Sequence, residues 1–328
     1  ADNDLVIATH GRSFWMIPAI APLRQLTPEV AEAEVHLFDP IDPLRGLDYG
    51  VQVVYFLAEA VDSLTLEFLD DAGTVIQSYV GRGGERGTSR GPFGGGRQSP
   101  PVGDGSHTFL WNLRYPGYTD FEGRIFWAAG NAGPVAVPGR YHVRLTVGDD
   151  VQTQEFDIGI DPRLRDHVTV ADLQARFDLA MRIRDRVSDA NEAVIWIREI
   201  KATIDERVQD LSDQDLMRQA NRVKQALSSV EQEIYQVKNE SSQDPLNYPI
   251  KLNNKIAALM GVVEGGESAP TDQSYAMFDR LSGLLQVQLD QLEEVVATDL
   301  VQLNDMLEES GLDPVEVERP DRNALQGQ

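Results

Sequence analysis

Between about Glu34 and Ile160, apolar and polar residues alternate with a period of two. Val51, Val53 and Tyr55 alternate with Gln52 and Val54, the pattern of a mostly buried strand. Leu64-Thr65-Leu66-Glu67-Phe68-Leu69 runs into the turn residues Asp70-Asp71-Ala72-Gly73, and Thr74-Val75-Ile76 follows as the hairpin partner. Thr108 to Leu113 and Tyr141 to Val147 predict further strands. The turn Gly148-Asp149-Asp150 then leads into Gln152 to Ile158.

At Asp161-Pro162 the period changes to that of a helix. Leu173, Phe177, Ala180, Val187, Ala190, Val194, Ile197, Ile204, Val208 and Leu211 mark a first long helix. A second carries Leu216, Ala220, Val223, Leu227, Val230, Ile234 and Val237, spaced alternately by four and three as in a coiled-coil seam. Thr169, Ser212 and Thr271 stand where N-caps belong. A shorter helix with Ile256, Met260 and Val263 ends at Gly265-Gly266. A last long one carries Phe278, Leu281, Leu285, Leu292, Leu300, Leu303 and Leu307 and stops at Gly311 and Pro314.

The two patterns predict a multidomain β plus α protein. Residues 31–161 form an immunoglobulin-like antiparallel β-sandwich, 162–312 an antiparallel helical bundle, and 313–328 a C-terminal tail. The seam is satisfied either within the chain or between chains, so the pattern leaves the oligomeric state open. Residues 1–30 are a further element: two short apolar runs around His10-Gly11, read as a hairpin, then an irregular connector punctuated by Pro18, Pro22 and Pro28. A lone hairpin is marginal in water and must pack on something.

Two stretches interrupt the strands. Residues 81–105 are dominated by Gly, Arg, Ser and Pro, too polar to offset their ordering entropy, and are expected to be a flexible loop. Residues 115–131 carry Tyr118, Phe121, Phe126 and Trp127 and are expected to fold back on the sandwich.

Charge narrows the partners. The 328 residues hold 53 acids against 29 Lys plus Arg, a net charge of −24, which repels phosphate backbones and anionic membranes. Nucleic acid is therefore not expected as a partner. No apolar run approaches the roughly 20 residues of a membrane span. Absence of cysteine removes disulfides, thiolate nucleophiles and Cys-based metal sites. Ala1 stands where no initiator Met does, and Ala1-Asp2-Asn3-Asp4 lacks the basic start and apolar core of a signal peptide. The expectation is a chain cut from a longer one.

No constellation points to catalysis. His10, His36, His107, His142 and His167 follow no metal-ligand spacing, and there is no Gly-x-Ser-x-Gly elbow or Walker loop. Gly81-Arg82-Gly83-Gly84-Glu85-Arg86-Gly87 partly imitates a dinucleotide fingerprint but has no helix behind it. Ten acids between Asp290 and Glu318 read as a solvated helix face, or as a calcium or partner site. The expectation is no catalytic residue, no metal and no cofactor. Two groups remain as binding candidates. Arg82, Arg86, Arg90 and Arg97 make the one local basic excess, either a tether to an acidic surface or polysaccharide or a soluble linker. Phe121, Phe126 and Trp127 offer flat rings that either stack on sugars or pack the insertion. Asn239-Glu240-Ser241 fits a glycosylation sequon.

The run Asp4-Leu5-Val6-Ile7-Ala8-Thr9-His10-Gly11-Arg12-Ser13-Phe14-Trp15 resembles the last strands of a sortilin-like β-propeller with BNR-type repeats, a family often labelled glycosyl hydrolases in bacteria. Ser241-Ser242-Gln243-Asp244-Pro245-Leu246-Asn247-Tyr248-Pro249-Ile250-Lys251-Leu252-Asn253-Asn254-Lys255 resembles the C-terminal helical region of the same proteins. Trp111-Asn112 with Val137-Pro138-Gly139-Arg140-Tyr141-His142-Val143 resembles the FlgD-like immunoglobulin modules. The resemblance implies an exported protein, periplasmic or extracellular, whose propeller lies upstream. The repeat's Ser-x-Asp-x-Gly-x-Thr-Trp box occurs nowhere here. This chain is then a non-catalytic accessory or interaction region with the upstream propeller and a protein or polysaccharide as partners. The alternative is the substrate-binding accessory part of a BNR-repeat glycosyl hydrolase. In that case saccharide binding falls on Trp127→Ala or Phe121→Ala.

Overall fold

The structure, a computed structural model, describes residues 4–17, 20–83, 99–209 and 211–320. It divides into two compact units, Ala1–Tyr115 with Val135–Val170, and Pro116–Pro134 with Ala171–Gln328. Sheet dominates the first and helix the second, so the chain is a β plus α protein.

The first unit opens with β1 (Leu5–Ala8) and β2 (Phe14–Ile17), paired antiparallel as the alternation around His10-Gly11 predicts. The connector is less irregular than its prolines suggest. Helical turns α1 (Ala21–Arg24) and α2 (Pro28–Ala31) each carry a proline in the first turn, where a missing N–H costs nothing, and the Thr27 hydroxyl caps α2 at Val30. The Gln25 amide then pairs both ways with the Asp39 backbone, at 3.0 and 2.8 Å.

Strands β3 (Val35–Leu37), β5 (Val51–Leu57) and β8 (Gly105–Trp111) make one sheet in the order β3-β5-β8. Strands β4 (Leu44–Arg45), β6 (Ser63–Asp70), β7 (Val75–Arg82), β9 (Gly139–Val147) and β10 (Asp150–Ile160) make the other, ordered β4-β10-β9-β6-β7. Pairing is antiparallel except between β4 and β10, which run parallel. Both sheets feed one core of Leu37, Val53, Tyr55, Phe68, Trp111 and Phe156, with Phe68 and Trp111 stacked at 4.6 Å. Each such apolar side chain contributes roughly 1.5–3 kcal/mol on burial. The Gln152 and Gln154 amides bond the Val35 and Leu37 backbone, satisfying the otherwise open edge of β3.

The stretch expected to be a flexible loop is tied down at both flanks. Residues 81–82 end β7. Beyond the undescribed residues, Pro101 O accepts from the buried Tyr55 hydroxyl, Val102 O from Val61 N, and Ser99 Oγ donates to Val80 O. Only glycine fits at 81, because a Cβ there would lie 2.2 Å from Pro100 O.

In the second unit, helices α3 (Val170–Val208), α4 (Gln214–Ile234), α5 (Leu252–Val263), α6 (Asp272–Val295) and α7 (Val301–Glu309) share a single core. The seam of α4 from Leu216 to Ile234 is buried among the chain's own helices. Val237 lies past the helix end and is exposed. The α4 cap is Asp213 rather than Ser212: its carboxylate accepts from Asp215 N and Leu216 N. Thr271 caps α6 at Ser274, as its position predicts. A π-turn at Val296–Leu300 joins α6 to α7. The apolar repeat advances by seven from Leu285 to Leu292, by eight to Leu300, and by seven to Leu307. The wider turn absorbs the extra residue and keeps all four side chains inward. The buried Gln219 amide bonds the Asp299 carbonyl within it at 3.0 Å.

Described residues of the expected tail are docked. Val315 is buried and its backbone pairs both ways with the Asn304 amide, while Trp196 Nε1 donates to Val317 O at 3.0 Å. Val315 is buried and Val317 half-buried, while Glu316 and Glu318 between and after them are exposed.

The larger difference concerns the aromatic insertion. Residues 116–134 belong to the helical unit, not to the sheets.

Candidate functional site

The insertion is held by a buried polar ladder. Thr119 N donates to Ser188 Oγ (3.0 Å), Thr119 Oγ1 to Glu192 Oε1 (2.9 Å), and Asn191 Nδ2 to Thr119 O (2.7 Å). Asn253 Nδ2 reaches Asn191 Oδ1 at 3.0 Å, and the Asn254 amide pairs both ways with the Trp127 backbone at 2.8 and 2.9 Å. Ser188, Asn191 and Glu192 share one face of α3, spaced by three and four, so a polar stripe on a buried helix receives the segment. An insertion without helix or strand of its own cannot bury its backbone without such partners. Tyr118 donates its hydroxyl to Gly130 O, and burial pushes its pKa up to about 12.

The predicted aromatic candidates divide. Phe121 meets Tyr235 edge-on at 5.1 Å and carries the Arg198 guanidinium at 4.9 Å. Phe126 lies under the Arg124 guanidinium at 4.3 Å. Both pack on the helical core, so their faces are already covered. Trp127 is left 42% exposed. Of the predicted arginines, Arg82 is exposed at the end of β7, whereas Arg86, Arg90 and Arg97 lie outside the described residues.

A cleft of about 580 Å³ opens instead where α4 ends and α5 begins. Tyr235, extended at φ −129° and ψ 145°, terminates α4. The Gln236 side chain then clamps the returning loop, donating to Pro249 O at 2.9 Å and accepting from Lys238 N at 3.3 Å. Asp244 Oδ2 accepts from Glu240 N and Ser241 N at 2.7 and 2.8 Å, which holds its carboxyl below the usual range. The segment thus built is the Ser241–Lys255 run singled out in the sequence.

Lysine concentrates here. The chain has five, Lys201, Lys224, Lys238, Lys251 and Lys255, and the last three line the cleft. Lys251 pairs with Glu233 at 3.1 Å, Lys238 Nζ sits 5.6 Å from the Tyr248 ring centre, and Lys255 is exposed on the first turn of α5. Lys251 itself is the α5 N-cap and provides no side-chain cap, and within the first turn Asn254 N donates to Asn253 Oδ1 at 2.8 Å. Val237, Ile250, Leu252 and Leu284 supply an apolar floor. Pooling Lys with Arg hid this cluster. Counting lysines separately would have shown three of the five within 18 residues, though not that they converge.

Among the described residues, no group of three or more His, Asp or Glu is placed to hold a metal ion, and no helix is long and apolar enough to cross a membrane. No protein-family model matches the chain, and no curated protein matches its sequence.

Proposed function

We propose that this chain is a non-catalytic accessory and interaction region of an exported, sortilin-like β-propeller protein, with β1–β2 as closing strands of a propeller that lies upstream. The observation that carries the reading is the hairpin. Leu5, Val6 and Ile7 on one strand and Phe14, Trp15 and Met16 on the other are all exposed, Phe14 at 77% and Trp15 at 64%. A two-stranded ribbon with apolar side chains open on both faces is marginal by itself and fits a role as part of a larger sheet.

The sheet unit is read as an immunoglobulin-like sandwich. Trp111 at the centre of the core supports this. So does Tyr141, whose hydroxyl bonds Val137 O at 2.8 Å in the manner of a tyrosine corner. The helices are read as an antiparallel bundle, a form that the short connections 209–213 and 264–271 favour.

The test is the reading frame upstream of Ala1, followed by fluorescence of the longer protein. Propeller repeats upstream, and Trp15 emission shifted to the blue relative to the 328-residue chain, are expected. A frame without repeats, or unchanged Trp15 emission in the longer protein, refutes the reading.

A further inference from the structure

We propose that the lysine cleft is a docking site for an acidic, extended peptide segment of a partner protein. Three of five lysines converge on one concavity of a chain whose net charge is −24. At physiological salt the field of distant acids is screened within roughly 8 Å. Charges lining the cleft then decide what binds there. Lys251 is partly spoken for by Glu233, which leaves the Lys238 and Lys255 ammoniums to meet carboxylates.

The floor selects the body of the ligand. Val237 and Leu284 are 39% and 48% exposed, an apolar surface that aliphatic side chains cover well. Gln232 and Gln288 place amides beside it, suited to a peptide backbone. The helical unit already holds one segment of this chemistry: residues 312–318 lie across it with valines inward, acids between them, and an Asn304 amide clamping the backbone. A nucleic acid would extend beyond the three lysines onto repelling surface. A sugar needs an open ring face, and the one aromatic ring in the cleft, Tyr248, carries the Lys238 ammonium.

The experiment is fluorescence anisotropy with the full chain and a fluorescein-labelled peptide alternating valine and glutamate, as residues 315–318 do. It is run near physiological salt, with a glutamine-for-glutamate peptide as the neutral comparison. We expect saturable binding of the acidic peptide and at least about tenfold weaker binding to Lys238→Glu with Lys255→Glu, since each lost charge pair becomes a repulsion. A matched reversal on the N-terminal half of α4, away from the cleft, Arg218→Glu with Arg222→Glu, is expected to leave binding within about twofold. Photo-crosslinks from the peptide should fall within residues 232–288, which tests the site without any variant. Four results overturn the proposal: no binding at about 1 mM peptide, a Kd too weak for even transient docking; equal binding of the neutral peptide; equal losses in the two double variants; or displacement of the peptide by a uronate tetrasaccharide that binds more tightly than the peptide.

Discussion

Replacing Asn191 by alanine removes the central rung of the ladder that holds residues 116–134. Asn191 is fully buried, as is Asn253, and Thr119 is 3% exposed. The substitution strips the Thr119 carbonyl of its 2.7 Å donor and the Asn253 amide of its 3.0 Å acceptor. Each buried group left without a partner costs about 1–3 kcal/mol. A water entering the polar void recovers part of that, which sets the expected loss at about 2–4 kcal/mol. With a urea slope of about 2 kcal/mol/M, the midpoint falls by roughly 1–2 M. Circular dichroism at 222 nm follows the helices and reads this shift. Asn253→Ala in the same background removes the orphaned amide itself, so the double variant should be milder than the sum by about 1 kcal/mol. A single-variant shift below about 0.5 M, or additivity within about 0.3 kcal/mol, refutes the ladder as a coupled unit.

Two further expectations concern pH. Burial raises the pKa of Tyr55, Tyr79, Tyr118 and Tyr141, with Tyr79 and Tyr118 at about 12. Because the folded values lie above the unfolded one, stability is intact below about pH 10 and declines as pH rises toward the folded values. Absorbance at 295 nm should show these four of nine tyrosines ionising only as helix and sheet signals are lost. Asp244 has a lowered pKa from the Glu240 and Ser241 amides, so its contribution is present above about pH 4 and lost as pH falls through the depressed value. Amide exchange at Glu240 and Ser241 should stay slow to below pH 4 in the native chain, and Asp244→Asn should speed it at neutral pH. Unchanged exchange in that variant refutes the role given to the carboxylate.

Strand positions were legible because alternation at Val51–Tyr55 and Leu64–Leu69 is a local pattern that burial on one face imposes. Helices were legible for the same reason, through the seam of α4. The placement of residues 116–134 was not. Their aromatic content says that they bury something, but whether against sheet or helix depends on Ser188, Asn191 and Asn254, residues far along the chain that look like ordinary polar positions. Caps shift by one residue because Ser212 and Asp213 are both competent, and geometry selects between them. The π-turn left a trace in the eight-residue step from Leu292 to Leu300, readable only once the helix is known to be continuous. The cleft is made by a loop return, which periodicity does not encode. Its lysines were visible in the sequence, though not their convergence.

The ladder also sets a problem of timing. During synthesis Trp127 is made 127 residues before Asn254, and Thr119 is made 69 residues before Ser188. At roughly 5–20 residues per second, the Trp127 backbone waits about 6–25 s for its partner. Phe121 likewise waits for Tyr235, made 114 residues after it, although the strands on either side of the insertion complete their pairing earlier. The segment therefore leaves apolar surface for a chaperone to cover until its helical partners are made, and a ribosome pause between α3 and α5 would lengthen that exposure in direct proportion.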